Sequence, residues 1–412
     1  MAQERIVDPD CAGLPDFCSE AFASLGRADQ RNAAETYVRG LLNCDGRKTI
    51  PRLAVASPGR SEQSLQQFIN QSPWEHGPVR KWLAERLVRE YRPEAWVVGE
   101  LAFPKHGRYS AAVERQYVHS HGRVRNCQLA IMVGMQVDGV TVPVNWSLTI
   151  PEQWGQDDER RSRAKVPECE LPRPYWQYHV ELLDDMALDW GVPEAPILLD
   201  ARHRPLEWYL AALEMRAQTY LAQVSPNELV QPADANWSRG SGRIVNGQGA
   251  RARARTVADI AAGVGNVTPE TLYWRDAAGH TLRSQFLVIP VQVLVSSGRP
   301  AGSKALLANR LLIVEWPLGK PSPRGYWLTN IRGASLRELV KLAKQVAQAT
   351  PQAAELASGY GLFDYEGRTF NGWHHHATMV SAALDYDILN GAHLGRPEFD
   401  PGQAQELTEL AR

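Results

Sequence analysis

APILLDARHRPLEWYLAALEMRAQTYLAQV, from Ala195 to Val224, decides the fold class. Its opening, PILLDAR, is an apolar run of buried-strand length that ends on an acid, Asp200. LEWYLAALEMRA then carries apolar residues at helical spacing, and QTYLAQV returns to strand character. Upstream, AWVVGELAF (Ala95 to Phe103) is another β-branched apolar run, and QLAIMVGMQVDGVTVPVNWSLTI (Gln128 to Ile150) reads as a hairpin turning at Asp138-Gly139. A helix is expected across Tyr175 to Trp190. Strands in succession, then strands alternating with helices, fit an α/β layer fold with a mixed sheet.

Working outward, Leu14 to Arg92 has helical periodicity, which predicts a small helical N-terminal domain at 1–92, with Ser72 capping a helix and Pro73 in its first turn. The core domain would then run over 93–412. Residues 225 to about 280 lose periodicity and are rich in Gly, Pro, Asn and Arg. Strand-like runs resume at SQFLVIPVQVLV, RLLIVEW and YWLTNI, so a β-rich insertion is expected at about 225–333. From Ser335, Leu336, Leu339, Leu342 and Val346 mark an amphipathic helix, which Pro351 should end or kink.

Composition excludes several classes. The 412 residues are 44% hydrophobic and carry no apolar run long enough for a membrane span, and the start MAQERIVDPD has no signal-peptide pattern. A cytoplasmic protein with no membrane partner is expected. The five cysteines are scattered, with no CxxC spacing, so neither a disulfide framework nor a zinc site is indicated. Net charge is −1, so any case for nucleic acid rests on local clusters. Between Asp234 and Asp259 there is no acid, while Arg239, Arg243, Arg251, Arg253 and Arg255 punctuate a Gly- and Ser-rich stretch. That stretch reads either as an arm lying along phosphates or as a solvated loop. A second basic zone, Lys105, Arg108, Arg115, Arg123 and Arg125, is interrupted only by Glu114.

Four blocks carry a resemblance: QSLQQFINQSPW (Gln63 to Trp74), FPKHGRYSAAVERQY (Phe103 to Tyr117), NCQ (Asn126 to Gln128) and GLFDYEGRTFNGWHHH (Gly361 to His376). Together they resemble insertion-sequence transposases of the DDE superfamily-endonuclease kind, of actinomycete type. The resemblance implies a ribonuclease H-like mixed-sheet core, DNA as partner, self-association as a homodimer, and Mg²⁺ as cofactor. In such enzymes three carboxylates hold paired divalent ions that activate the attacking oxygen and stabilise the leaving one.

Reading outward from the blocks, the first acid position falls on Gly99, the second on Asp200 and the third on Thr350, the last by two concordant counts. Glu100 is a substitute for the first only if a bulge turns it, because neighbouring strand residues face opposite sides. Asp200 is the retained acid and the doubtful metal ligand, crowded by Arg202, His203 and Arg204; its alternative reading is a turn or helix cap. Glu355 lies five residues past Thr350, about 140° round a helix. In the block after the first acid, Ala111-Ala112 stands where the family usually has Val-Gly, a place expected to need a small residue for close packing. Lys105, Arg115, Gln116, Arg123, Asn126, Arg251, Arg253, Arg255, Arg368 and His374 are the expected DNA-contacting residues, with Tyr117 and Trp373 equally readable as packing groups. Three consecutive histidines, His374 to His376, do not converge on one ion.

With two of three acids replaced, the sequence predicts a DNA-binding transposase relative that no longer cleaves or joins DNA. Two alternatives stay open. One is an active nuclease using Asp200, Glu100 and an unrecognised acid; the other is a recruited small-molecule enzyme or partner-binding protein with a pocket near Asp200.

Overall fold

The structure, a computed structural model, describes residues 13–204, 206–233, 242–246, 249–250, 252–263, 268–275, 280–295 and 304–392. Among them are eleven helices and thirteen strands in a mixed α/β arrangement. The chain divides into two compact units.

The first unit comprises residues 1–94, 98–193 and 349–396. It holds helices α1 (Leu14–Ala21), α2 (Ala28–Asn43), α3 (Ile50–Ala56), α4 (Glu62–Asn70) and α5 (His76–Glu90). Strand β1 (Ala95–Pro104) gives all but its first three residues to this unit, and β2 (Glu114–Val118), β3 (Arg123–Val137) and β4 (Val140–Leu148) lie wholly within it. Glu94 N–H donates to Gln136 O and Lys105 N–H to Asn126 O, which sets β1 antiparallel to β3. The expected hairpin between β3 and β4 is present. Asp138 (φ 44°) and Gly139 (φ 76°) supply the two left-handed residues that a tight hairpin turn needs.

Helices α6 (Asp158–Ala164) and α7 (Tyr175–Asp184) follow, α7 running into a π-turn over Asp185–Asp189. Ala112 adopts φ 59° and is fully buried. A Cβ is disfavoured in the left-handed region, so the backbone, as well as the close packing expected from the sequence, suits the glycine that the resemblance implies here.

The centre of this unit is α11 (Phe370–Leu389), in which every residue from Gly372 to Tyr386 is buried. It packs against α2, α4, α5 and β4. A helix buried all round must satisfy its polar side chains internally. Tyr37 donates to His376 Nδ1 (2.9 Å) and His376 Nε2 donates to Gly361 O (2.9 Å). Ser381 donates to Pro143 O and accepts from Trp146 Nε1. Two groups are exceptions among the described residues: His374 Nε2 has no hydrogen-bond partner, and Asp385 is fully buried with neither carboxyl oxygen partnered.

Burial pushes the Asp385 carboxyl well above its ordinary range. The raised folded value means that the native state binds more protons than the unfolded chain above about pH 4, so stability falls as pH rises from there. Asp385→Asn is expected to match the parent near pH 4 and to exceed it increasingly toward neutrality, by up to about 1.4 kcal/mol per pH unit. Urea unfolding across that range measures it; parallel pH profiles for the two proteins would refute it.

The second unit comprises residues 95–97, 194–348 and 397–412. Trp96 N–H donates to Pro196 O at the entry of β5 (Ile197–Asp200). Helix α8 (Glu207–Met215) connects β5 to β6 (Tyr220–Gln223), and the two strands pair in parallel from Ile197↔Tyr220 to Asp200↔Gln223. This is the strand, helix, strand order expected from the sequence. The remaining pairings are antiparallel: β13 (Gly325–Thr329) on β6, β12 (Lys304–Pro317) on β13, and β11 (Thr281–Val295) on β12.

The described part of 225–280 is less irregular than its composition suggested. It contains β7 (Leu229–Pro232), β8 (Gly242–Asn246), β9 (Arg255–Thr256), α9 (Val257–Gly263) and β10 (Glu270–Arg275). Lys344 of α10 (Leu336–Ser358) is ion-paired with buried Glu315 (2.5 Å) and lies 3.9 Å from the Trp274 ring centroid. Of the two outcomes expected at Pro351, an end or a kink, the end does not occur: helix α10 continues through it to Ser358. One expectation needs correction. Ser72 and Pro73 lie before α5 rather than in it, and α5 begins at His76 with Glu75 at its cap position.

Candidate functional site

The site is built from β1 and α10. Gly99 lies in the middle of β1, where alternation sends successive side chains to opposite faces. Its open face meets Thr350: a Cβ placed on Gly99 would come under 3.0 Å from Oγ1, Cγ2 and Cβ of that residue. The two positions where the resemblance implies acids therefore touch, and the glycine of one accommodates the β-branched side chain of the other. Glu100 faces away. Its carboxylate accepts from the Tyr175 hydroxyl of α7. Glu355 is exposed.

Asp200 ends β5 and is held by its own turn. Arg202 donates through Nε to Oδ1 (2.9 Å) and through Nη2 to Oδ2 (2.5 Å), and its backbone N–H also reaches Oδ1 (3.1 Å). Burial would raise the carboxyl, but these Arg202 contacts, with His203 nearby, outweigh it and hold Asp200 below its ordinary value. A bidentate guanidinium takes both carboxylate oxygens and neutralises the charge that a divalent ion would need. Glycine and threonine offer no carboxylate at the other two positions. The donor set therefore does not fit a two-metal centre.

The expected DNA-contacting residues separate into two groups. Arg115, Arg123, Arg253, Arg255 and Arg368 are exposed. Arg255 sits in β9 opposite Val230, so this part of the basic stretch is paired strand, while Arg251 lies outside the described residues.

The second group does structural work. Asn126 Nδ2 donates to Lys105 O (2.7 Å) and Gly107 O (2.8 Å), and Gln116 Nε2 to Cys127 O (3.0 Å). Lys105 Nζ donates to Tyr365 O (2.5 Å), and burial pushes its ammonium down to about 8 despite Glu366. For His374 the sequence leaves a buried or a DNA-facing role open, and the structure corrects the second. His374 is only 3% exposed, its ring stacks on His76 at 4.7 Å, and Arg80 donates to its Nδ1, so it is a core residue rather than a DNA contact.

Arg80 is the residue that the motifs missed. It is 1% exposed and binds Thr378 Oγ1 (2.8 Å), Asn145 Oδ1 (3.3 Å), Trp146 O (2.7 Å), His374 Nδ1 (3.2 Å) and His374 O (3.2 Å). Burial pushes its guanidinium down to about 9, with Asp185 pulling the other way. The signal was present in the sequence: Arg80, Leu83, Ala84 and Leu87 share one face of α5, and an arginine on an otherwise apolar stripe needs internal acceptors.

A sequence model of the DDE superfamily endonuclease family matches residues 20–280. The probable transposase for insertion sequence element IS701 of Microchaete diplosiphon is 25% identical to this chain over 170 residues. That match covers 40% of this chain and 44% of the transposase, so the chain spans less than half the length of this relative.

Proposed function

The chain belongs to the DDE superfamily endonuclease family, and from that premise we propose that it is a DNA-binding protein of transposase descent that does not cut or join DNA. In this reading the second acid survives in a ribonuclease H-like core as a residue of structure, and the helices before residue 92 serve DNA recognition. DNA is held by charge, through exposed arginines such as Arg115, Arg123 and Arg368, and two copies act together as a homodimer.

The observation that carries the proposal is the contact between Gly99 and Thr350. It replaces two carboxylates by a packed, uncharged pair, and a single acid already neutralised by Arg202 cannot hold two divalent ions. What remains is binding whose strength falls steeply with salt, because each phosphate contact releases counterions.

The test is selection of fragments from a random DNA pool by the purified protein, at low and moderate salt, with and without magnesium. Enrichment of a defined sequence with intact ends is the expected result. Magnesium-dependent cleavage or end joining would overturn the inactivity, and failure to retain DNA at low salt would overturn the binding.

A further inference from the structure

The hairpin of β2 and β3 combines features that the centre described above does not use. Among the described residues β2 is the terminal strand of its sheet and pairs only with β3, in the register Arg115↔Asn126, Gln116↔Arg125, Tyr117↔Val124 and Val118↔Arg123. Cross-strand partners share a face, so Arg115, Tyr117, Val124 and Asn126 stand together on one side of the ribbon. Tyr117 is 50% exposed and Val124 53% exposed, directly opposite one another. Tyr117 packs edge-on against His119 at 5.1 Å and leaves half of its surface open.

Arg115 shares the Tyr117–Val124 face and is exposed; Arg123 and Arg125 stand on the other face, where Arg123 is exposed and Arg125 keeps a buried Nε without a partner among the described residues. His119 and His121 form the turn, which Gly122 closes at φ 62°. The only acid of the ribbon, Glu114, is paired with Arg160 at 3.1 Å.

An exposed edge strand with apolar side chains invites a second copy of the chain, but two such ribbons side by side would bring their arginines together, the arrangement that natural edges use to prevent pairing. A polyanion has no such penalty. Two strands about 4.8 Å apart with their side chains make a ribbon that fits a DNA major groove about 12 Å wide.

We propose that the β2–β3 ribbon enters the DNA major groove, its arginines on the flanking phosphates and the Tyr117–Val124 pair against base edges, where apolar contact with thymine methyl groups carries sequence preference. This deepens the proposed function and rests on it. The ribbon divides its work: Arg115 and Arg123 supply affinity for any sequence, and Tyr117 and Val124 supply discrimination.

The test compares the parent with two double variants, Arg115→Ala/Arg123→Ala and Tyr117→Ala/Val124→Ala, on the DNA selected by the parent and on scrambled DNA, over a salt series. All four side chains are exposed or at the rim, so both variants keep the parent's melting temperature. The arginine variant should weaken on both DNAs alike and lose about 0.9 of the log-log salt slope for each phosphate contact removed. The Tyr117/Val124 variant should lose about tenfold or more of the preference for selected over scrambled DNA, with its salt slope unchanged. If the parent binds DNA and both variants bind as it does, the ribbon assignment fails while the proposed function stands. A change in self-association without a change in DNA preference would assign the face to a second copy instead. A parent that binds no DNA removes both readings.

Discussion

Gly99→Asp is expected to destabilise the protein by about 3 kcal/mol, and Thr350→Ala in the same chain to recover about 1 kcal/mol or more of that loss. A side chain at residue 99 would begin under 3.0 Å from three atoms of Thr350. Threonine is stiff about χ1, so it cannot swing clear without moving α10. Overpacking of this kind costs roughly 1–3 kcal/mol, and a carboxylate entering a buried strand adds a desolvation cost of similar order. Removing the Thr350 branches relieves only the steric part. A double-mutant cycle by urea denaturation should therefore give a coupling of about 1 kcal/mol or more between the two positions. Additive effects would show that the residues do not touch, and with that the main support for the proposed inactivity would go.

Arg80→Ala is expected to cost a further about 3–5 kcal/mol, the range for breaking a buried charged network by removing one member. The substitution removes the arginine donor from Trp146 O, His374 Nδ1 and Thr378 Oγ1 in one step, while Asn145 Oδ1 keeps the Trp146 N–H and His374 O keeps the Thr378 hydroxyl. An opposing effect must be weighed. The fall of Arg80 to about 9 shows that burying the charge is itself unfavourable, so the variant is relieved of that cost. Three acceptors that lose their donor, each worth roughly 1–3 kcal/mol if left unmade, outweigh it. Arg80→Lys should lose nearly as much, because an ammonium lacks the planar fork that reaches β4 and α11 together. Denaturation midpoints measure both; a loss below about 1 kcal/mol would mean that water replaces the guanidinium without penalty.

Secondary structure was legible wherever periodicity and turn chemistry are local. The runs PILLDAR, LEWYLAALEMRA and QTYLAQV became β5, α8 and β6, and Asp138-Gly139 became the β3–β4 turn. The helix start at Ser72 was misplaced because a Ser-Pro pair signals a turn as readily as a cap, and here Trp74 is drawn out of any helix to stack on His375 at 3.9 Å. Helix α10 passes Pro351 because a proline removes a single helical hydrogen bond, and the buried residues Ala349, Ala353 and Ala357 hold the turn around it. Strand segments within 225–280 were not legible because they are short and their apolar residues sparse.

The sequence by itself determined the family blocks, the α/β class, and the identity of the residues (Gly99, Asp200 and Thr350) that stand where the resemblance implies acids, since all of these follow from residue type and spacing. Only the tertiary structure decided that Gly99 and Thr350 meet, that Arg202 occupies both oxygens of Asp200, that His374 is packed inward on Arg80, and that Tyr117 and Val124 face outward. Which partner a side chain finds across the chain is set by how elements pack, and packing depends on many weak contacts at once rather than on any local pattern.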